Sequence, residues 1–186
     1  MFIKGYLSLC FLCVIVLTTP LLAQNQMVQQ NQETAQKKEI VQNQEPTIIL
    51  FRHAEKMDAS RDPDLSTTGI ERSKTLYNML KDLAITEIYS TSYKRTMQTV
   101  QPIADSLGIS ITPYDPQDLT GFAQILKEKS GVILVSGHSN TTPKVTSLLL
   151  DSEVASINED EYDNLFIITS AATNPVLTKL RYPSFY

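Results

Sequence analysis

The chain has 186 residues, 42% of them hydrophobic and 19% charged, which excludes both a disordered polyampholyte and an integral membrane bundle. Its 16 basic and 20 acidic residues leave a net charge of −4, and no Lys/Arg run supplies the basic surface that a general nucleic-acid binder needs. Trp is absent, while Cys and His occur only twice each, so thiol or imidazole chemistry is confined to very few positions.

Both cysteines fall at the N-terminus. Lys4, the almost wholly apolar run from Gly5 to Leu22 and the small Ala23 ahead of Gln24 have the layout of a secretory signal peptide. Residues 1–23 are therefore read as a signal, and the protein as exported to the periplasm or the extracellular space. Left uncleaved, the segment would tether the chain to a membrane. Cys10 and Cys13 match C-x-x-C, but inside this apolar core they lack the folded context of a redox motif. Residues 24–45 follow, with eight Gln and three Asn among 22 positions. So little apolar surface cannot offset the entropy of ordering, and the stretch reads as a flexible tether. The folded domain is expected at 46–186.

Within that domain, short β-branched runs alternate with helical patterns. Thr47–Phe51 reads as a strand, and Ser66 or Thr67 caps a helix reaching about Ala84, with Ile70, Tyr77, Leu80 and Leu83 on its buried face. Glu87–Tyr89 is a second strand, Tyr93–Leu107 a helix containing Pro102, and Ser110–Thr112 a third strand. Asp118 caps a helix carrying Phe122, Ile125 and Leu126. Val132–Val135, apolar throughout, reads as a central strand, and Thr141–Leu150 as a helix with Pro143 in its first turn. Two further strands, Leu165–Thr169 and Val176–Arg181, complete the domain. The alternation predicts an α/β fold, a three-layer sandwich with a mainly parallel central sheet flanked by helices.

In such a sheet ligands gather beyond the carboxyl ends of the strands. The first strand runs out at Arg52-His53, the second at Ser90-Thr91-Ser92 with Arg95 one turn later, and the fourth at Gly137-His138. The only two histidines and two arginines thus share one edge, where helix N-termini also favour anions. Guanidinium forks suit phosphoryl oxygens, one imidazole can attack phosphorus, and a second can neutralise charge on the equatorial oxygens. Two arginines repel a metal dication, and no Cys or H-x-x-x-H ligand set accompanies the histidines. Gly137-His138-Ser139-Asn140 does not fit the G-x-S-x-G of a serine hydrolase.

Four blocks carry a family resemblance. Leu50-Phe51-Arg52-His53-Ala54-Glu55-Lys56 resembles the R-H-[GA]-E signature of the histidine phosphatase superfamily, which includes the phosphoglycerate mutases. Asp64-Leu65-Ser66-Thr67-Thr68-Gly69 is similar to that family's L-[ST]-x-x-G helix start. Ile88-Tyr89-Ser90-Thr91-Ser92-Tyr93-Lys94-Arg95-Thr96-Met97-Gln98-Thr99 and Val135-Ser136-Gly137-His138-Ser139-Asn140 resemble its third and fourth blocks, in the same order. The resemblance implies a phosphoglycerate mutase-like fold and a metal- and cofactor-independent phosphatase. His53 would be the nucleophile that is phosphorylated, with Arg52, Arg95 and His138 forming the phosphate pocket. The implied substrate is a phosphomonoester or phosphoramidate, carried by a small molecule or a phosphoprotein. Alternatives are a phosphomutase and a non-catalytic module that binds phospho-ligands.

The family's leaving-group acid often lies between the second Arg and the second His, where Asp115 and Asp118 are the candidates. Each has an alternative as a turn or cap residue. Glu55 lies beside the nucleophile, with Lys56 or neighbouring backbone as its expected partner. The stretch Asp151 to Asp163 holds six acids and no base; it reads as a solvated loop, with a cationic partner or calcium as the alternative.

Overall fold

A computed structural model describes residues 23–32 and 45–183. The run read as a signal peptide, most of the expected tether and the last three residues lie outside the described residues. Two units are distinguished, residues 1–42 and 43–186. In the first, residues 23–32, which include the start of the stretch expected as a flexible tether, are helical with every side chain exposed. Ala, Gln and Met are good helix formers, and forming a helix requires no buried face.

The second unit is built on a six-stranded sheet in the order β3-β2-β4-β1-β5-β6. The strands are β1 (Thr47–Arg52), β2 (Ile85–Ser90), β3 (Ile111–Pro113), β4 (Val132–Gly137), β5 (Asn164–Thr169) and β6 (Val176–Arg181). β1 to β4 run parallel, and β5 and β6 pair antiparallel at one side. The helices are α1 (Thr67–Leu80), α2 (Lys94–Leu107), α3 (Leu119–Lys127) and α4 (Thr141–Leu150). This is the α/β arrangement with a mainly parallel sheet expected from the alternation, and it agrees with the phosphoglycerate mutase-like fold that the resemblance implies.

The strand pleat divides the core in two. Ile49, Phe51, Ile88 and Leu134 point to the side of Leu76 and Leu80 from α1 and Val100 and Ile103 from α2. Ile48, Leu50, Tyr89, Ile133 and Val135 meet Phe122 and Leu126 from α3 and Val145 and Leu149 from α4. With both faces covered, the two inner parallel strands carry continuous apolar runs, Ile48–Phe51 in β1 and Val132–Val135 in β4. Helix faces are slightly rotated from the sequence reading. Ile70, Leu83 and Ile125 are 47%, 40% and 48% exposed, and Leu76 takes the expected place of Ile70 in the core. α1 also ends at Leu80 rather than near Ala84, because Leu83 and Ala84 belong to the short connection into β2. Pro102 cannot donate to the carbonyl of Gln98, and the hydroxyl of Ser73 donates there instead, at 3.2 Å.

One close approach ties α1 to the exit of β1. The Ser66 side chain caps α1 by accepting from the Gly69 amide at 3.1 Å, while the Ser66 amide donates to the Glu55 carbonyl at 2.9 Å. A Cβ on Gly69 would collide with that same Glu55 carbonyl oxygen, so the helix start can sit here only with glycine. Gly69→Ala should therefore cost about 1–3 kcal/mol of unfolding free energy, as overpacking against backbone does. Urea unfolding of the two proteins measures it, and indistinguishable midpoints would contradict the close approach.

Candidate active site

β4 lies between β1 and β2, so the carboxyl ends of three parallel strands deliver their loops side by side. Arg52 and His53 leave β1, Thr91 follows β2, Arg95 opens α2, and His138 follows β4. All four residues expected at the site line one cavity of about 540 Å³, together with Lys56, Tyr93, Gln117, Ser139 and Glu159. The two imidazole centroids are 5.4 Å apart.

The histidine tautomers follow from their partners. His53 Nδ1 lies 2.7 Å from the Ala54 carbonyl oxygen, which can only accept, so Nδ1 carries the proton and Nε2 keeps its lone pair. Arg95 Nη2 lies 3.3 Å from His138 Nδ1, and a guanidinium can only donate, so here the proton sits on Nε2. That Nε2–H donates to Thr91 Oγ1 at 2.9 Å. Thr91 passes its own hydroxyl proton to Thr96 Oγ1 at 2.9 Å, and Thr96 donates to the backbone carbonyls of Thr91 and Tyr93. A hydroxyl chain thus orients the second imidazole.

Burial lowers the pKa of both rings. His53 falls to about 3, mainly through desolvation, with Arg52, His138 and Arg95 adding repulsion and the bond to Ala54 opposing it. His138 falls to about 4, again by desolvation first, then by Arg95 and Arg52. Both are neutral at pH 7, as a nitrogen nucleophile must be. A dianion in the cavity would reverse the repulsion at His138 and favour its protonated, donating form.

Arg52 is almost wholly occupied from a single loop. Its Nη1 donates to the carbonyls of Asn158, Glu159 and Glu161 at 2.9, 2.9 and 3.0 Å, and its Nη2 to Glu159 Oε2 at 2.9 Å. Tyr162 stacks on the guanidinium at 4.1 Å. The buried Nε has no hydrogen-bond partner among the described residues. Arg95 leans on Tyr93 at 4.6 Å and has weaker polar ties, the nearest acidic one to Asp62 at 3.9 Å. It is the more available of the two guanidinium groups.

The acid candidates are placed otherwise. Asp118 caps α3 by accepting from the Gly121 amide, and Asp115 accepts from the Gln117 amide; neither lines the cavity. Glu55, expected beside Lys56 or backbone, forms a two-oxygen ion pair with Arg72, at 2.6 Å for the shortest contact. Arg72 also donates to the Tyr182 carbonyl, which fastens the loop after β1 to the chain beyond β6. The acid-rich loop is not simply solvated. Its residues 158–162 grip Arg52, and Glu161 and Asp163 pair with Arg181 at 2.7 and 2.6 Å. Glu159 and Tyr162 were missed in the sequence reading. The one signal for them was six acids without a base, which called for a cationic partner and found it within the chain. No group of three or more metal-ligating side chains occurs among the described residues.

A family model covers residues 48–116, from β1 through the loop after β3. The match is to the histidine phosphatase superfamily, branch 1. No curated protein sequence matches the chain. Among solved structures, the protein histidine phosphatase SixA complexed with tungstate aligns with a TM-score of 0.60 and 18% identity, over 73% of this chain and 96% of that one. A phosphoserine phosphatase from Entamoeba histolytica, in complex with 3-phosphoglyceric acid, gives 0.56 and 16%, over 74% and 98%. A mycobacterial glucosyl-3-phosphoglycerate phosphatase gives 0.56 and 10%, over 75% and 99%. At these identities the likeness shows a histidine phosphatase fold and leaves the substrate open.

The neutral rings have a measurable consequence. Below about pH 6.5 the unfolded chain protonates both histidines, whereas the folded chain does so only near pH 4 and 3, so stability falls as pH falls through this window. Between pH 7 and 5 the loss should be roughly 1–2 kcal/mol per histidine. Imidazole ¹⁵N shifts should show two neutral rings at pH 5, and a charged ring there would contradict the assigned environments.

Proposed function

We propose that the protein is a phosphatase that hydrolyses a phosphomonoester or phosphoramidate through a phosphohistidine on His53. The observation that carries this reading is the neutral His53, its Nδ1–H tied to the Ala54 carbonyl and Nε2 left as a lone-pair nitrogen in a cavity shared with Arg95, Arg52 and His138. Nε2 attacks phosphorus and the leaving group departs. Arg95, Arg52 and a protonated His138 hold the equatorial oxygens as charge redistributes. Water then attacks the phosphohistidine and regenerates the imidazole. Positioning and fixed charge supply the catalysis, and these residues provide both without a metal.

Lys56, Gln117, Asn140 and Glu159 on the cavity wall are exposed, so the phosphoryl site can receive a group attached to a larger body. That supports a phosphorylated side chain, including phosphohistidine, alongside small phosphoesters, and the SixA likeness adds to it. The residues from Gly5 to Leu22 support an exported setting for the activity.

The test is turnover by the full chain of an aryl phosphate and of a phosphoramidate. His53→Ala should lower both by at least about 10³-fold, the scale on which losing a nucleophile acts. Rapid quenching with labelled substrate should trap an acid-labile, base-stable phosphoprotein that the variant does not form. Full activity in His53→Ala would refute the mechanism.

A further inference from the structure

We propose that Glu159 is the proton donor to the leaving group and, in the second step, the base that activates water. This rests on the phosphatase reading above and assigns the residue which that reading leaves unnamed.

Among the described residues, Glu159 is the one carboxylate lining the cavity, since Asp115 and Asp118 hold a turn and a helix cap and Glu55 is engaged by Arg72. Its two oxygens bridge the site. Oε2 accepts from Arg52 Nη2 at 2.9 Å, and Oε1 accepts from the hydroxyl of Ser139, the residue after His138, at 2.6 Å. The carboxylate therefore spans the phosphate-binding guanidinium and the loop after β4. Its backbone is held to the same group, because the carbonyls of Asn158, Glu159 and Glu161 all accept from Arg52 Nη1. The side chain is 79% exposed and so in exchange with bulk water. An anchored backbone with a carboxyl that solvent reaches suits a group that must meet an atom projecting outward from the bound phosphoryl.

The Ser139 hydroxyl, then Arg52 and Lys56, hold the carboxyl below the usual carboxylate range. A phosphoryl dianion entering beside Arg52 places negative charge next to Glu159 and competes for the same guanidinium, and both effects favour proton uptake from solvent. In the first step the lone pair of His53 Nε2 forms the N–P bond while the bond from phosphorus to the leaving atom breaks. The released electron pair on that atom takes the proton of Glu159. In the second step water forms the new O–P bond and gives a proton to the Glu159 carboxylate. The N–P electron pair returns to Nε2, and Glu159 is again protonated for release or a further turn.

A proton donor matters in proportion to the basicity of the leaving group. The full-length protein and its Glu159→Gln variant are compared on phosphomonoesters running from activated phenols to alkyl alcohols. Glu159→Gln should lower kcat by about 10²-fold or more on the most basic leaving group and by about threefold or less on the most activated phenol. Inorganic phosphate should still bind the variant. An equal loss on every substrate, loss of phosphate binding, or faster turnover throughout would overturn the assignment; the last would mean that the carboxylate merely competes with phosphate for Arg52. The same steepening in Asp115→Asn or Asp118→Asn would overturn it as well. If the unaltered protein cleaves none of the series, the phosphatase reading itself fails, which is distinguishable from a flat response in an active enzyme.

Discussion

The hydrogen bond from His53 Nδ1 to the carbonyl of Ala54 is the constraint on which the site depends. It settles which nitrogen has a lone pair, and it works only while the Ala54 peptide cannot rotate. The peptide units on either side of the one that bears this carbonyl are both held. The Ala54 amide donates to Thr99 Oγ1 at 2.9 Å, and Thr99 in turn donates to the Arg95 carbonyl at 2.7 Å, one turn back in α2. One residue further on, the Glu55 carbonyl receives the Ser66 amide, and its carboxylate receives Arg72 from the same helix. The loop after β1 is thus stitched to both helices on its face of the sheet. Three of the recognisable sequence blocks meet in those bonds, and much of what they encode is support for one imidazole.

Charge is the second constraint. A nearly fully buried guanidinium such as Arg52, only 1% exposed, would be costly without partners. The chain meets that cost with three backbone carbonyls, a carboxylate and an aromatic face, all from residues 158–162. Carbonyl dipoles leave the positive charge in place while satisfying its donors, so a ligand still meets a cation. Arg95, held mainly against Tyr93, completes the pair from the opposite side of the sheet switch. The acidic net charge of the protein is compatible with a local cationic pocket, because several of its carboxylates are spent on Arg52, Arg72 and Arg181.

Much of this could be read from sequence, and for identifiable reasons. Thr141–Leu150 and Val176–Arg181 match their expected bounds, since Pro143 and the surrounding polar residues mark the ends. β4 is central as its apolar run implied, flanked by β1 and β2. Arg52, His53, Arg95 and His138 meet because parallel strands place their carboxyl ends together, a consequence of alternation alone. Asp118 showed its cap signal, and the cap is what it forms. The buried face of α1 was misread because periodicity leaves a helix free to rotate by one position. The choice between Ile70 and Leu76 is made by what the sheet presents.

The sequence by itself determined the layer architecture and the sheet edge at which Arg52, His53, Arg95 and His138 meet. Both follow from local patterning and from a single rule of strand direction. Only the tertiary structure decided the tautomer of each histidine, the grip on Arg52 and the carboxylate at the cavity. The physical reason is separation along the chain: Arg52 finds its partners 106 to 109 residues away, and His138 finds Thr91 at 47. No local pattern marks one glutamate among six acids as the one that bridges Arg52 and Ser139. That distinction exists only once the loop has closed over the end of β1.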